Sequence, residues 1–113
     1  MTDRWLAFSP RFTDDFKQLR KRYRQIENDL RNLLDLLRHG DTPGDQMTSV
    51  GYRVFKVSLP NSDAQRGKSG GYRVVYYLQT ADQVVLLTLY SKSEQSHIPA
   101  DVLRRIIQEF EAG

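Results

Sequence analysis

The chain has 113 residues, no cysteine, an apolar fraction of 39% and an aromatic fraction of 11%. That length supports one hydrophobic core and not two, so a single domain over residues 1–113 is expected. The apolar content excludes a disordered chain, and the lack of cysteine excludes disulfides and thiolate metal sites.

The formal net charge is only +3, but its distribution is uneven. Arg53, Lys56, Arg66, Lys68 and Arg73 stand between Tyr52 and Tyr77, opposed only by Asp63. Such a local excess suits an anionic partner such as nucleic acid, with a plain solvated basic surface as the alternative.

In chain order, residues 4–8 (RWLAF) are a short apolar run expected as an edge strand. Ser9 followed by Pro10 supplies an N-cap hydroxyl and a proline pre-set for a first helical turn. Phe12, Phe16, Leu19 and Tyr23 then follow helical spacing, with Arg11, Lys17, Arg20, Lys21 and Arg22 between them. The basic run 20–24 reads as a junction. A second helix presents Ile26, Leu30, Leu33, Leu34 and Leu37 and ends at His39-Gly40. Together they predict an antiparallel helix pair laid on a sheet, with Asp14, Asp15, Glu27, Asp29 and Asp35 as solvated carboxylates.

Residues 40–49 are a polar, turn-rich connection. Residues 52–59 alternate as a strand, with Phe55, Val57 and Leu59 on one face and Val54, Lys56 and Ser58 on the other. Pro60 ends it, and 61–71 reads as a small, polar, glycine-rich loop. The runs 72–78 and 84–90, joined by a turn at 80–83, form a β-hairpin that is apolar on both faces, which places it at the centre of a covered sheet. After the polar stretch 91–97, Pro99 opens a last helix with Val102, Leu103, Ile106, Ile107 and Phe110 on its apolar side. The predicted order is β-α-α-β-β-β-α, an α+β fold. The first residues, MTDRWLAFSPRF, lack the apolar run of a signal peptide, and no segment is long and apolar enough to span a bilayer. A cytoplasmic location without membrane association is expected.

Gly67-Lys68-Ser69 resembles the end of a nucleotide-binding P-loop, but that motif needs a glycine where Ser62 stands and a helix where a strand follows. What remains is a glycine-rich turn beside Arg66, Lys68 and Arg73, able either to bind one phosphate group or merely to shape a tight strand start. His39 and His97 are far apart and neither has a second ligand at helical or hairpin spacing, so no metal site and no cofactor are expected. No Ser-His-Asp or Cys-His arrangement stands out.

The run GKSGGYRVVYYL, followed by VVLLTLYSKSE and IPADVLRRII, resembles toxins of the RelE/ParE superfamily, with its HigB-like members the nearest in pattern. The helix pair and residues 52–59 (YRVFKVSL) fit the same pattern. The resemblance implies helices packed on a twisted antiparallel sheet and a type II toxin silenced by a cognate antitoxin in a hetero-oligomer. RelE- and HigB-like members cleave mRNA in the A site of the 70S ribosome, whereas ParE-like members poison DNA gyrase.

For metal-independent cleavage by a ribose 2′-OH, Arg73 is the candidate for binding the transition-state phosphate through its planar fork. Arg66 and Lys68 would add charge, and Lys92 occupies a basic position of the family's last active-site segment. Lys56 extends the basic surface, Gly70 and Gly71 would let an RNA backbone approach, and Tyr76, Tyr77 and Tyr90 offer rings for base stacking. For each tyrosine, core packing is the weightier alternative. The sequence departs from the RelE pattern at Ser93 and Pro99, where an arginine and a tyrosine would stand. This leaves the general acid and base unassigned, and a catalytically degenerate RNA- or antitoxin-binding module remains a further alternative.

Overall fold

The computed structural model describes residues 3–63 and 71–113. Its elements are β1 (Trp5–Phe8), α1 (Pro10–Arg20), α2 (Ile26–Arg38), β2 (Asp45–Met47), β3 (Val54–Leu59), β4 (Tyr72–Thr80), β5 (Gln83–Ser91) and α3 (Ala100–Ala112). The five strands form one sheet in the order β1-β5-β4-β3-β2. The fold is α+β, as expected, and the β4–β5 hairpin occupies the middle of the sheet.

Local chemistry explains the helix boundaries. Ser9 is extended and its hydroxyl accepts from Phe12 N at 3.0 Å, while Pro10 needs no donor at the first helical position. At the end of α2, Gly40 N reaches Leu37 O and Asp41 N reaches Leu36 O, the two reversed bonds that satisfy the last carbonyls of a helix. The chain between α1 and α2 is the short basic junction that the sequence indicated.

Both sheet faces are covered. On one, Phe12, Leu19, Ile26, Leu30, Leu33 and Leu37 of α1 and α2 pack on Phe55, Tyr72, Val74, Tyr76, Leu78, Val84, Leu86 and Leu89. On the other, Leu103, Ile106 and Ile107 of α3 pack, with Ile98, on Val54, Val75, Tyr77, Val85, Leu87 and Tyr90. Each fully buried aliphatic side chain contributes roughly 1.5–3 kcal/mol relative to exposure, so these two layers are the main source of stability. Tyr77 adds a polar tie by donating its hydroxyl to the Glu111 carboxylate at the far end of α3.

Three features differ from the sequence expectation. First, the connection 40–49 contains the short edge strand β2, antiparallel to β3. Asp45 and Gln46 are polar and exposed and Met47 alone of the three packs toward the α3 side, so the strand is held mainly by backbone pairing and leaves no hydrophobic alternation to read. Second, the sheet is not wholly antiparallel: β1 runs parallel to β5, from Trp5 opposite Gln83 to Phe8 opposite Leu86. Side-chain alternation reports a strand's faces and not its direction. Third, Asp15 and Asp29 are not merely solvated. Asp15 accepts from Thr88 Oγ1 and Leu89 N, and Asp29 accepts from the amide and hydroxyl of Ser62.

Gly44 lets β2 approach β3. Its φ is +96°, and a Cβ there would lie 2.9 Å from Lys56 C and Val57 Cβ and still closer to Lys56 O. Because those atoms are backbone or strand-bound, they have nowhere to move. Gly44→Ala should therefore lower stability by about 1–3 kcal/mol through backbone strain alone, read as a reduced denaturant midpoint; an unchanged midpoint would contradict this close packing.

Candidate functional site

The group of interest forms where β4 begins and β5 ends. Gly71 precedes β4 with φ +114°, and a Cβ on it would sit 2.7 Å from Leu59 O, so the position admits only glycine. Its carbonyl accepts from Lys92 N at 3.0 Å, which fastens the start of β4 to the residue that follows β5. The Lys92 side chain is exposed and runs over Gly71, its Cδ 3.8 Å from where that Cβ would be.

Two residues into β4, Arg73 lies in register with Ser58 of β3 and Tyr90 of β5. Lys56 pairs with Val75 and is therefore the diagonal neighbour of Arg73 on the same face. This face is the one covered by α3, so Arg73, Tyr90, Ser58 and Lys56 line the margin of the α3 core. Among the described residues, none of Lys56, Arg73 and Lys92 forms an ion pair.

Arg73 is half-buried, and its Nε is shielded from solvent without a hydrogen-bond partner among the described residues. The same is true of the Tyr90 hydroxyl. Burial raises the Tyr90 phenol above its ordinary value, with the Arg73 charge acting in the opposite direction. The phenol therefore keeps its proton at neutral pH. Unpaired buried donors are costly, on the order of 1–3 kcal/mol each, and two on one rung make a place where an anionic acceptor is favoured.

The structure thus brings Arg73, Lys92, Gly71, Lys56 and Tyr90 to one end of the sheet, and adds Ser58, which the β3 alternation had placed beside Lys56. Arg66, Lys68 and Gly70 lie outside the described residues. The segment that leads toward them is fastened to α2: Ser62 is held by Asp29, and Asp63 accepts from Gln25 N at 2.8 Å.

Tyr76 does not join this group. It is fully buried on the opposite face, its ring stacked on Phe55 with centroids 5.4 Å apart and its hydroxyl donated to Pro43 O. A ring enclosed in this way has no free face for a base, so the stacking role expected of Tyr76 gives way to core packing. Tyr77 and Tyr90 are likewise buried under α3, so core packing replaces base stacking for them as well, and Tyr90 belongs to the group through its place beside Arg73 and not through a free ring face. The Tyr72 hydroxyl, also buried without a hydrogen-bond partner among the described residues, lies on the helix-pair face, with the Tyr23 ring edge-on at 5.8 Å.

The departures from the family pattern have clear structural places. Ser93 is exposed, its hydroxyl 3.0 Å from that of Ser91, and Pro99 is the N-cap residue of α3. His39 sits beside Asp3 at 3.5 Å near the end of α2, and His97 is exposed next to Ser96. Among the described residues, no cluster of three or more histidines and carboxylates is disposed to hold a metal ion.

These hydroxyl environments make opposite stability predictions. Tyr90→Phe removes a group with no described partner and should leave the melting temperature unchanged or slightly raised. Tyr76→Phe loses a bond and strands the Pro43 carbonyl, costing about 1 kcal/mol. Equal losses in thermal melts of the two variants would contradict the assignment of both hydroxyls.

Comparison with known proteins agrees with this architecture. The family model described as the ParE toxin of the type II toxin-antitoxin system, parDE, matches residues 6–96, from β1 through the polar segment after β5. No curated protein matches the chain significantly. The family match spans most of the sequence and includes every residue of the basic group. The chain belongs to the ParE toxin family of type II toxin-antitoxin systems, within the RelE/ParE superfamily.

Proposed function

We propose that this toxin is a HigB-like, ribosome-dependent mRNA endonuclease that cleaves in the A site, and that an antitoxin silences it. The observation that carries this reading is Arg73: a half-buried guanidinium with an unpaired Nε, flanked by Lys56 and Lys92 without an acidic partner among the described residues. In the cleavage, the ribose 2′-oxygen attacks the adjacent phosphorus and the bond to the 5′-oxygen breaks. The proton leaves the 2′-hydroxyl and one is delivered to the departing 5′-oxygen. Negative charge accumulates on the equatorial oxygens of the pentavalent phosphate, and a planar fork of N–H donors is suited to two of them. Lys92 and Lys56 offset the charge of the flanking phosphates.

Lys68 and Arg66, in the glycine-rich stretch before Arg73, would add charge at the same phosphate. A role for Lys68 as base requires its pKa to fall well below about 10, which neighbouring cations promote. With Pro99 capping α3, the phenol that stands on the Arg73 rung is Tyr90. It keeps its proton and offers a hydrogen-bond donor to a phosphate oxygen.

A second reading has one observation in its favour: the matched family is described by its ParE members, and ParE-like toxins inhibit DNA gyrase. That reading needs a protein-binding surface and assigns no chemistry to Arg73. Mapping mRNA 5′ ends after brief induction separates the two. The nuclease reading expects new in-frame ends that require translation and that diminish in Arg73→Ala, whose loss of one electrostatic donor costs about 10²–10³ in rate. Growth arrest with intact mRNA and altered plasmid supercoiling would overturn it in favour of gyrase.

A further inference from the structure

We propose that Asp15 is a positioning residue: it holds a β-bulge in β5 that keeps Tyr90 on the same rung and face as Arg73. The inference rests on the reading of the Arg73–Tyr90 group as the site, and its geometry is as follows. Pairing between β4 and β5 is regular at Tyr76 opposite Leu86 and resumes at Val75 opposite Thr88, so Leu87 is an extra residue in β5. Counted without the bulge, alternation would place Tyr90 with Val84 and Leu86 on the helix-pair face. With it, Leu89 joins that face, and Tyr90 joins Val85 and Leu87 beneath α3, opposite Arg73.

The carbonyl of the extra residue, Leu87, and the amide of Leu89 just beyond it find partners in Ser9, the N-cap of α1, and in Asp15 within α1. Strand β1 ends at Phe8 opposite Leu86, so beyond that point the outer edge of β5 has no neighbouring strand. The chain leading into α1 takes over. Ser9 N donates to Leu86 O at 3.0 Å, and the Ser9 hydroxyl donates to Leu87 O at 2.7 Å while capping α1. Asp15, further along α1, accepts from Leu89 N at 3.1 Å and from Thr88 Oγ1 at 2.6 Å through one carboxylate oxygen. Its other oxygen faces Arg11 at 3.8 Å.

The carboxylate is half-buried, and burial raises its pKa while the Thr88 and Leu89 bonds oppose that rise. A desolvated carboxylate spent on the Thr88 hydroxyl and the Leu89 amide, the two residues just after the extra one, is an expensive way to hold a strand edge that Ser9 already caps. What it secures in addition is the direction of the residue after Leu89, which is Tyr90.

The test compares wild type with Asp15→Ala, Asp15→Asn and Thr88→Val, with the Arg73 side-chain Nε–Hε and Tyr90 ring resonances assigned by Arg73→Lys and Tyr90→Phe. In Asp15→Ala, both side chains should shift while amide resonances of α2 and α3 stay in place. Asp15→Asn, which keeps one acceptor oxygen, should recover part of the wild-type positions. Cleavage on ribosomes should fall by up to about 10²-fold in kcat with KM retained, the loss expected of a misplaced catalytic group. Should Asp15→Ala fail to fold, Thr88→Val decides, because it removes one of the two bonds and keeps the other. Folded variants with unmoved Arg73 and Tyr90 resonances would overturn the proposal. If wild type cleaves no mRNA yet the resonances shift as expected, the positioning stands and the nuclease reading fails.

Discussion

Everything in this protein depends on burying the β4–β5 hairpin from both sides. With α1 and α2 on one face and α3 on the other, nearly every side chain of the two central strands is committed to packing, and there is no interior room for a reactive group. Polar chemistry is pushed to the end of the hairpin, where β4 begins at Gly71 and β5 gives way to Lys92. Arg73 sits at that boundary. Its aliphatic stem belongs to the covered face, and its charged head meets the margin.

The charges divide by role. Several carboxylates tie elements to one another: Asp15 joins α1 to β5, Asp29 and Asp63 join α2 to the segment after β3, Glu94 meets Arg22 at the helix junction, and Glu111 holds Tyr77. The cations Lys56, Arg73 and Lys92 have no such duty among the described residues. Acids spent internally and bases left free produce a one-signed patch from a chain whose net charge is small. Because the patch is partly desolvated, its attraction for a phosphate is screened less by salt than that of a fully exposed lysine cluster.

Much of this was legible in the sequence. The helix pair, the β3 face assignment, the central hairpin and the apolar side of α3 all follow from period and turn chemistry, and the GKSGGYRV and YSKSE stretches carried the superfamily. The separation of Tyr76 from Arg73 was also implicit, since they lie three apart on one regular strand and must point oppositely. What was not legible depends on partners outside the local pattern. VVLLTLY is apolar throughout, so no alternation reveals the bulge or says where Tyr90 points. Strand β2 has no hydrophobic signature. Asp15 and Asp29 each stand three residues after one buried residue and four before the next, at the margin of the helix's packed stripe, and only the tertiary fold brings Thr88, Leu89 and Ser62 against them.

On the proposed nuclease reading, the Arg73 fork, rather than positive charge in general, stabilises the transition state. Single-turnover cleavage of a defined mRNA on purified ribosomes with Arg73→Lys, which keeps the charge and abolishes the fork, puts this to the test. Ribosome binding close to wild type with cleavage slowed by about 10²-fold or more is the predicted result. Cleavage at the wild-type rate, or no cleavage by wild type itself, would contradict it.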